Sequence, residues 1–406
     1  MVMFLRSKYS YIAERIRTLI KPYFATFCKM VKMQNLRRKA SLLKGIITLD
    51  WKRLFNIEQR QVLGLDIGSS AVKMVQLRKD NGGFTVTAAG IAEITETTEG
   101  DKNLKEEVNT VEAISKCLRS TGTQTELAVC SVSGPEVAVR YFKFPSLPAD
   151  EIQGAALFEA AQVCPFNIDD SAVDYQLIPN GKDCTTGVLV AATNKLIKRK
   201  TQLAKNASLD TVLMDVDGLA LLNCLNEYKN SQKAKSETDV TRTTAILNVG
   251  SSFTTLAIIG DNNLPFIRDM DYAGNDIIKE IAAENNLSME TVGKILSGCE
   301  DPDHSQLKLS DSLAKACQKL ITNVTETLRY YTAQEKSSPI EKILVCGGFA
   351  LEEGFVELLD RQLPAPTVLW NPFDKIRYDA SQTYQNILQK NGPALAVAAG
   401  LAMRSI

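Results

Sequence analysis

Histidine is almost missing: the 406-residue chain holds one, His304. That excludes a multi-His metal site and a Ser-His-Asp triad anywhere else in the chain. No apolar run reaches the roughly 18–20 residues that span a bilayer. The nine cysteines, Cys28, Cys117, Cys130, Cys164, Cys184, Cys224, Cys299, Cys317 and Cys346, contain no C-x-x-C pair. Odd in number and mostly set among apolar neighbours, they read as reduced core residues of a cytosolic protein. Net charge is absent too, 47 Lys and Arg against 47 Asp and Glu, which speaks against a dedicated nucleic-acid binder. There is no G-x-x-x-x-G-K-[ST], hence no P-loop, and no G-x-G-x-x-G after a strand, hence no dinucleotide fold.

The neutral total hides an asymmetry. Residues 1–60 carry 14 Lys and Arg against Glu14, Asp50 and Glu58, an excess of +11, so the other 346 residues sum to −11. Leu5, Tyr9, Ile12, Ile16, Leu19, Tyr23, Phe27 and Met30 recur at helical steps, with Arg15, Arg17, Lys21 and Lys29 beside them and Pro22 midway. Three readings stay open for this extension. Residues 1–31 form a helix on an anionic membrane surface, or the segment is a disordered basic tail, or the start codon is misplaced upstream of Met30 or Met33. A secretory signal does not fit, since Lys and Arg interrupt every apolar run.

From Val62 the pattern is α/β. Residues 62–67 form a strand ending in Gly68-Ser69-Ser70, and residues 71–77 and 84–94 complete a meander. A helix over 104–120 and a strand over 127–133 follow. Residues 134–180 read as strands around one helix that ends at Val163, and 195–207 and 211–216 resume the helix–strand rhythm. The polar run 228–241 has no hydrophobic period and reads as a linker. Then residues 245–252 repeat the beginning: strand, Gly250, Ser251, Ser252, and a return strand over 254–259. Helices around 275–299 and 310–334 lead to a strand ending in Cys346-Gly347-Gly348-Phe349-Ala350.

Two Gly-Ser-Ser hairpins facing each other from similar lobes would make a phosphate clamp. Glycine lets the backbone approach, and the N–H groups of Gly68, Ser69, Ser70, Gly250, Ser251 and Ser252 can converge on oxygens. Asp66 can hold Mg²⁺ through water, since that ion keeps its waters and takes few carboxylates. Gly347, Gly348 and Phe349 offer a flat backbone surface for a nucleoside. Lys73 either neutralises a phosphate or is a solvated strand residue. One such turn is usually only a turn; three in this order, two of them a repeat, point to a nucleotide.

The order D-I-G-S-S, N-V-G-S-S, C-G-G-F-A resembles the actin/Hsp70/sugar-kinase superfamily. Within it, residues 61–406 resemble the PilM family of type IV pilus assembly proteins. The finer likeness rests on Leu63 to Lys73, Pro145-Ser146-Leu147-Pro148, Glu151, Glu159-Ala160, Pro165-Phe166, Asp174-Tyr175, Ala191-Ala192, Asp215-Val216-Asp217, Phe266-Ile267-Arg268, Gly274-Asn275, Asn371-Pro372-Phe373 and the ending Ala399 to Arg404. The resemblance implies an actin-like ATPase fold, α/β, with two duplicated lobes and a small inserted α+β subdomain of the SHS2 kind. The expected boundaries are a basic extension over 1–60, the first lobe over 61–122 and 183–240 (linker included), the insert over 123–182, and the second lobe over 241–406.

The same resemblance implies ATP and Mg²⁺ in the cleft. It implies a cytoplasmic adaptor, peripheral to the inner membrane, that captures the N-terminal cytoplasmic segment of a PilN-type protein between the first lobe and the insert. Such an adaptor joins the platform to motor proteins. Asn248 stands where the family usually has Asp. The family's nucleotide-facing Lys falls at Leu296, with Lys294 nearby, and Phe349 replaces a third Gly. These departures weaken hydrolysis more than binding, and Asp66 and Asn248 are the only catalytic candidates. An active actin-like ATPase of cell division and a sugar kinase of the same superfamily are the alternatives. The kinase needs a carboxylate base beside a sugar hydroxyl, and no matching motif occurs in the second half.

Overall fold

In the first lobe, β1 (Leu63–Ile67) is buried along its whole length, the mark of a central strand covered on both faces. The chain is described from a computed structural model, which covers residues 61–80, 83–95, 102–178, 184–233, 243–260, 264–299, 309–334, 338–378 and 384–404. Strand β1 pairs antiparallel with β2 (Ala71–Asp80), which pairs with β3 (Gly83–Glu93). Helix α1 (Lys102–Thr121) then crosses over, and β4 (Leu127–Val132) lies parallel to β1 on its other side.

From β4 the chain leaves the lobe to build the insert. It comprises β5 (Val137–Pro145), α2 (Ile152–Val163), β6 (Ser171–Ile178) and β7 (Cys184–Thr193), with β7 central and antiparallel to both other strands. Strand alternation gives this sheet two different faces. Phe142, Leu189, Val173 and Tyr175 pack with Ala160 of α2. Val139, Val188, Val190 and Ala192 join the core of the first lobe instead.

The side chain of Thr193 caps α3 (Asn194–Asn206) by accepting from the Leu196 amide. Then β8 (Asp210–Val216) joins β4 in parallel, and α4 (Asp217–Lys233) leads away.

The second lobe repeats the plan. Strands β9 (Thr243–Val249), β10 (Thr254–Ile259) and β11 (Pro265–Met270) form an antiparallel meander. Helices α5 (Gly274–Asn285), α6 (Met289–Leu296), α7 (Leu309–Ala316) and α8 (Gln318–Thr332) precede β12 (Ile340–Cys346), parallel to β9. After α9 (Phe355–Gln362), β13 (Thr367–Leu369) closes the order β11-β10-β9-β12-β13.

The C-terminal segment then returns to the first lobe. Strand β14 (Arg377–Tyr378) pairs with β3, making the order β14-β3-β2-β1-β4-β8. Beyond α10 (Gln385–Asn391), helix α11 (Ala396–Ala402) is buried throughout between β1 and α4. Close backbone approach requires two glycines here. A Cβ on Gly64 would lie 2.0 Å from the Ala398 oxygen, and one on Gly400 would lie 1.9 Å from the Ala220 oxygen.

Three expected boundaries move. Strand β4 belongs to the first sheet and β7 to the insert sheet, so the insert covers 137–193 rather than 123–182. The second lobe does not run to 406, because β14 pairs with β3, α10 packs on β3, and α11 packs against β1 and α4. Residues 228–233, expected as linker, are the end of α4. The basic extension, His304 and the rest of that linker lie outside the described residues.

Candidate functional site

Each Gly-Ser-Ser turn is closed the same way. The Gly68 amide donates to the Ala71 oxygen at 3.1 Å, and the Gly250 amide donates to the Phe253 oxygen at 3.0 Å. The two turns meet tip to tip. Ser252 Oγ donates to Ser69 Oγ at 2.9 Å, and the Ser70 and Ser251 hydroxyls hydrogen-bond to each other. First with fourth and second with third is the pairing a local two-fold axis between the lobes produces. Since the glycine amides are engaged within their turns, the donors that face the junction are the serine hydroxyls and amides.

The lobes differ one step further in. Asp66 and Lys73 oppose each other in the β1–β2 register, and their side chains form an ion pair at 3.1 Å, nearly buried. The matching pair in the β9–β10 register is Asn248 and Thr255, both neutral. Asn248 Oδ1 accepts from the Cys346 thiol at 3.8 Å, which aims it at the third turn. Thr255 donates to Asp269 Oδ1 at 2.6 Å, and Asp269 Oδ2 accepts from the Gly134 amide at 2.7 Å. Through Asp269, β11 of the second lobe holds the turn from which the insert departs. Asp269→Ala should leave that amide without its acceptor; faster hydrogen exchange at Gly134, with the cores still protected, is the expected result.

In the third turn, Gly347 has φ +97, and a Cβ there would lie 2.3 Å from the Val249 oxygen, so this position needs glycine. Gly348 is exposed and a Cβ on it would meet nothing within 4 Å, so the backbone there is open. The Phe349 ring does not line it. It is buried in the second core, edge-on to Phe355 at 4.9 Å, so only its backbone borders the cleft. Leu296 is fully buried, and exposed Lys294 pairs with Glu290 at 2.7 Å on α6.

The structure adds two groups to the Asp66 side of the cleft. Asp217, at the start of α4, is pushed up to about 7, first by burial and then by the Asp66 charge, against hydrogen bonds from Ser131 and Ser133. Lys200 Nζ donates to the Ile67 oxygen just before the first turn. Burial lowers its pKa, opposed by Asp217 and Asp66. Asp217 has a sequence signal, since it lies in Asp-Val-Asp directly after a strand. Lys200 has none, because Lys195, Lys198, Arg199 and Lys205 give its helix the look of a solvated face.

The sign of the pH effect follows. The folded chain holds a proton on Asp217 more tightly than the unfolded chain does. Its contribution to stability is therefore complete below about pH 4 and is lost as pH rises toward about 7. Asp217→Asn should reduce the fall in unfolding free energy between about pH 5 and pH 8, read from urea titrations, by on the order of 1–3 kcal/mol. Glu352, also raised to about 7 by burial, would remain as the residual slope.

These residues fit a nucleoside polyphosphate. Four hydroxyls and their amides suit phosphate oxygens, Lys73 adds charge, and Gly348 leaves room. Among the described residues no cluster of three or more His, Cys, Asp or Glu is placed to hold a metal. A Mg²⁺ ion here would rely on phosphate and water with few protein carboxylates, its usual habit. None of the eight described thiols is disulfide-bonded, and Cys346, which donates to Asn248, is buried and shifted upward by burial.

Comparison with known proteins gives the setting. The family model described as "Type IV pilus assembly protein PilM" matches residues 64–406. A solved "PilM-PilN type IV pilus biogenesis complex" superposes with TM-score 0.71 at 23% identity, over 85% of this chain and 98% of that one. Ethanolamine utilization protein EutJ from Carboxydothermus hydrogenoformans follows with TM-score 0.49 at 13% identity, over 84% and 89%. MreB 5 of Spiroplasma citri bound to AMPPNP has TM-score 0.42 at 13% identity, over 84% and 95%. The architecture is the actin-like one, with duplicated lobes and an insert in the first.

Proposed function

The chain belongs to the PilM family of type IV pilus assembly proteins, and on that premise we propose that it is a nucleotide-binding adaptor of the pilus inner-membrane platform. The observation that carries the reading is the unequal pair of turns. The first lobe keeps a carboxylate and a lysine one step inside its turn; the second has Asn248 and Thr255 there. Such a cleft can hold ATP and Mg²⁺ between the lobes while lacking a second turn carboxylate to direct hydrolysis. Asp66 would hold Mg²⁺ through water, Ser69, Ser70, Ser251 and Ser252 the phosphates, Lys73 their charge, and the Gly347–Gly348 backbone the nucleoside.

The partner is the N-terminal cytoplasmic segment of a PilN-type protein, bound between the first lobe and the inner face of the insert. Two things support this. The similar solved complex contains PilM together with PilN, and exposed Tyr141 and Lys143 lie on the strand face turned to the first lobe. Contacts with further platform and motor proteins, and a peripheral place at the inner membrane, belong to the same reading. No described helix is long and apolar enough to cross a membrane. Calorimetry with ATP·Mg²⁺ and with a PilN-type N-terminal peptide tests the assignment. Binding of both, with tighter peptide binding when ATP is present, is the expected outcome; failure of both rejects it.

Asp217 favours a second reading, a slow ATPase, because a carboxylate titrating near neutrality beside Asp66 suits the orientation of an attacking water. Phosphate release that Asp217→Asn abolishes would support it. No release from the native chain would dismiss it.

A further inference from the structure

Helix α2 is apolar on both sides, although only one side is covered. Ile152, Ala156 and Ala160 face the insert sheet. Leu157 and Phe158 point away and are 42% and 70% exposed, flanked by exposed Gly154 and Ala161. A Cβ on Gly154 would meet nothing within 4 Å, so the surface beside Phe158 is open. A helix of a globular protein normally turns polar residues to water, and one that is apolar all round belongs in an interior. The face is also separate from the proposed PilN groove. The insert sheet stands between them, with Leu189 packed toward α2 and Val188 and Val190 toward the first lobe.

Charge says what kind of partner covers it. Residues 144–170 contain Asp150, Glu151, Glu159, Asp169 and Asp170 and no Lys or Arg. Among the described residues none of these carboxylates is in an ion pair, and one base, Arg140, stands near Cys164 at the far end of the helix. An acidic rim around an apolar strip opposes an anionic lipid surface. It equally opposes a second copy, which would bring five more carboxylates against the first five.

We propose that the outer face of α2 docks a basic amphipathic helix of a partner protein, with Phe158 and Leu157 as its apolar anchors. The mode is helix against apolar strip, with lysine or arginine meeting the rim. This goes beyond the adaptor reading and does not depend on nucleotide.

The test uses the full chain and a fluorescent amphipathic peptide of about 14 leucine and lysine residues, with a leucine–glutamate peptide of the same pattern as its control. Expected are binding of the lysine peptide that weakens at least about threefold between low and high salt, and no binding of the glutamate peptide. Phe158→Ser should weaken the lysine peptide at least about tenfold, and Leu157→Gln less. Both side chains are exposed, so neither change removes core packing, and PilN-type peptide binding should stay as in the native chain. Equal binding of the two model peptides, or an unchanged affinity in Phe158→Ser, overturns the proposal. So does a native dimer that Phe158→Ser dissociates, or binding to anionic vesicles that it abolishes, since each would show another occupant.

Discussion

Arg404→Ala lowers the unfolding free energy by about 3–5 kcal/mol, a large part of the roughly 5–15 kcal/mol of a typical domain. Arg404 and Asp215 form an ion pair with side chains 4% and 0% exposed. Asp215 Oδ1 accepts from the Val216 amide at 2.8 Å, and its other oxygen accepts from Arg404 Nε. Removing the guanidinium strands a carboxylate in the first core at the end of β8. The cost comes from that stranded charge more than from the lost attraction. The double change Asp215→Leu with Arg404→Met should therefore recover at least half of the loss. Urea midpoints of the two single variants and the double variant decide it; a double variant as unstable as Arg404→Ala contradicts the account.

Asp66→Ala should weaken ATP·Mg²⁺ at least about 100-fold, equivalent to roughly 2.7 kcal/mol. On the proposed reading the change removes the carboxylate that would hold the metal's water, and it leaves the Lys73 ammonium unpaired in a nearly buried position. Asn248→Ala, its counterpart across the cleft, should cost less than about threefold, because Asn248 is aimed at Cys346 and the third turn. Titration of both variants under identical conditions, after checking that each is folded, reads the difference. Equal losses would mean that the two turns share the ligand evenly, and the argument from Asn248 and Thr255 would be wrong.

Much of the site was legible before the structure. The Gly-Ser-Ser repeat exposed the duplication, because a tight turn between apolar strands is a local property of a few residues, and the third turn followed from Gly347-Gly348 after a strand. What the turns do to each other was not legible. That Ser69 meets Ser252 and Ser70 meets Ser251 depends on how the two lobes lie against one another. Where the Phe349 ring goes was not legible either: it turns inward because Phe355 and the bare backbone of Gly274 leave room for it. Lys200 could not be singled out among the other bases of its helix, since only packing buries it under the first turn.

From residue order alone came the α/β class, the repeat, the candidate turns and the family likeness, all written in short-range spacing and side-chain type. Tertiary structure decided which segments share a core. It moved β4 out of the insert and β7 into it, and it carried β14, α10 and α11 back to the first lobe, where Gly64 and Gly400 allow helix and strand backbones to touch. Periodicity marks which face of a segment is buried but not against what; contacts between residues hundreds of positions apart are settled by shape, charge and close packing.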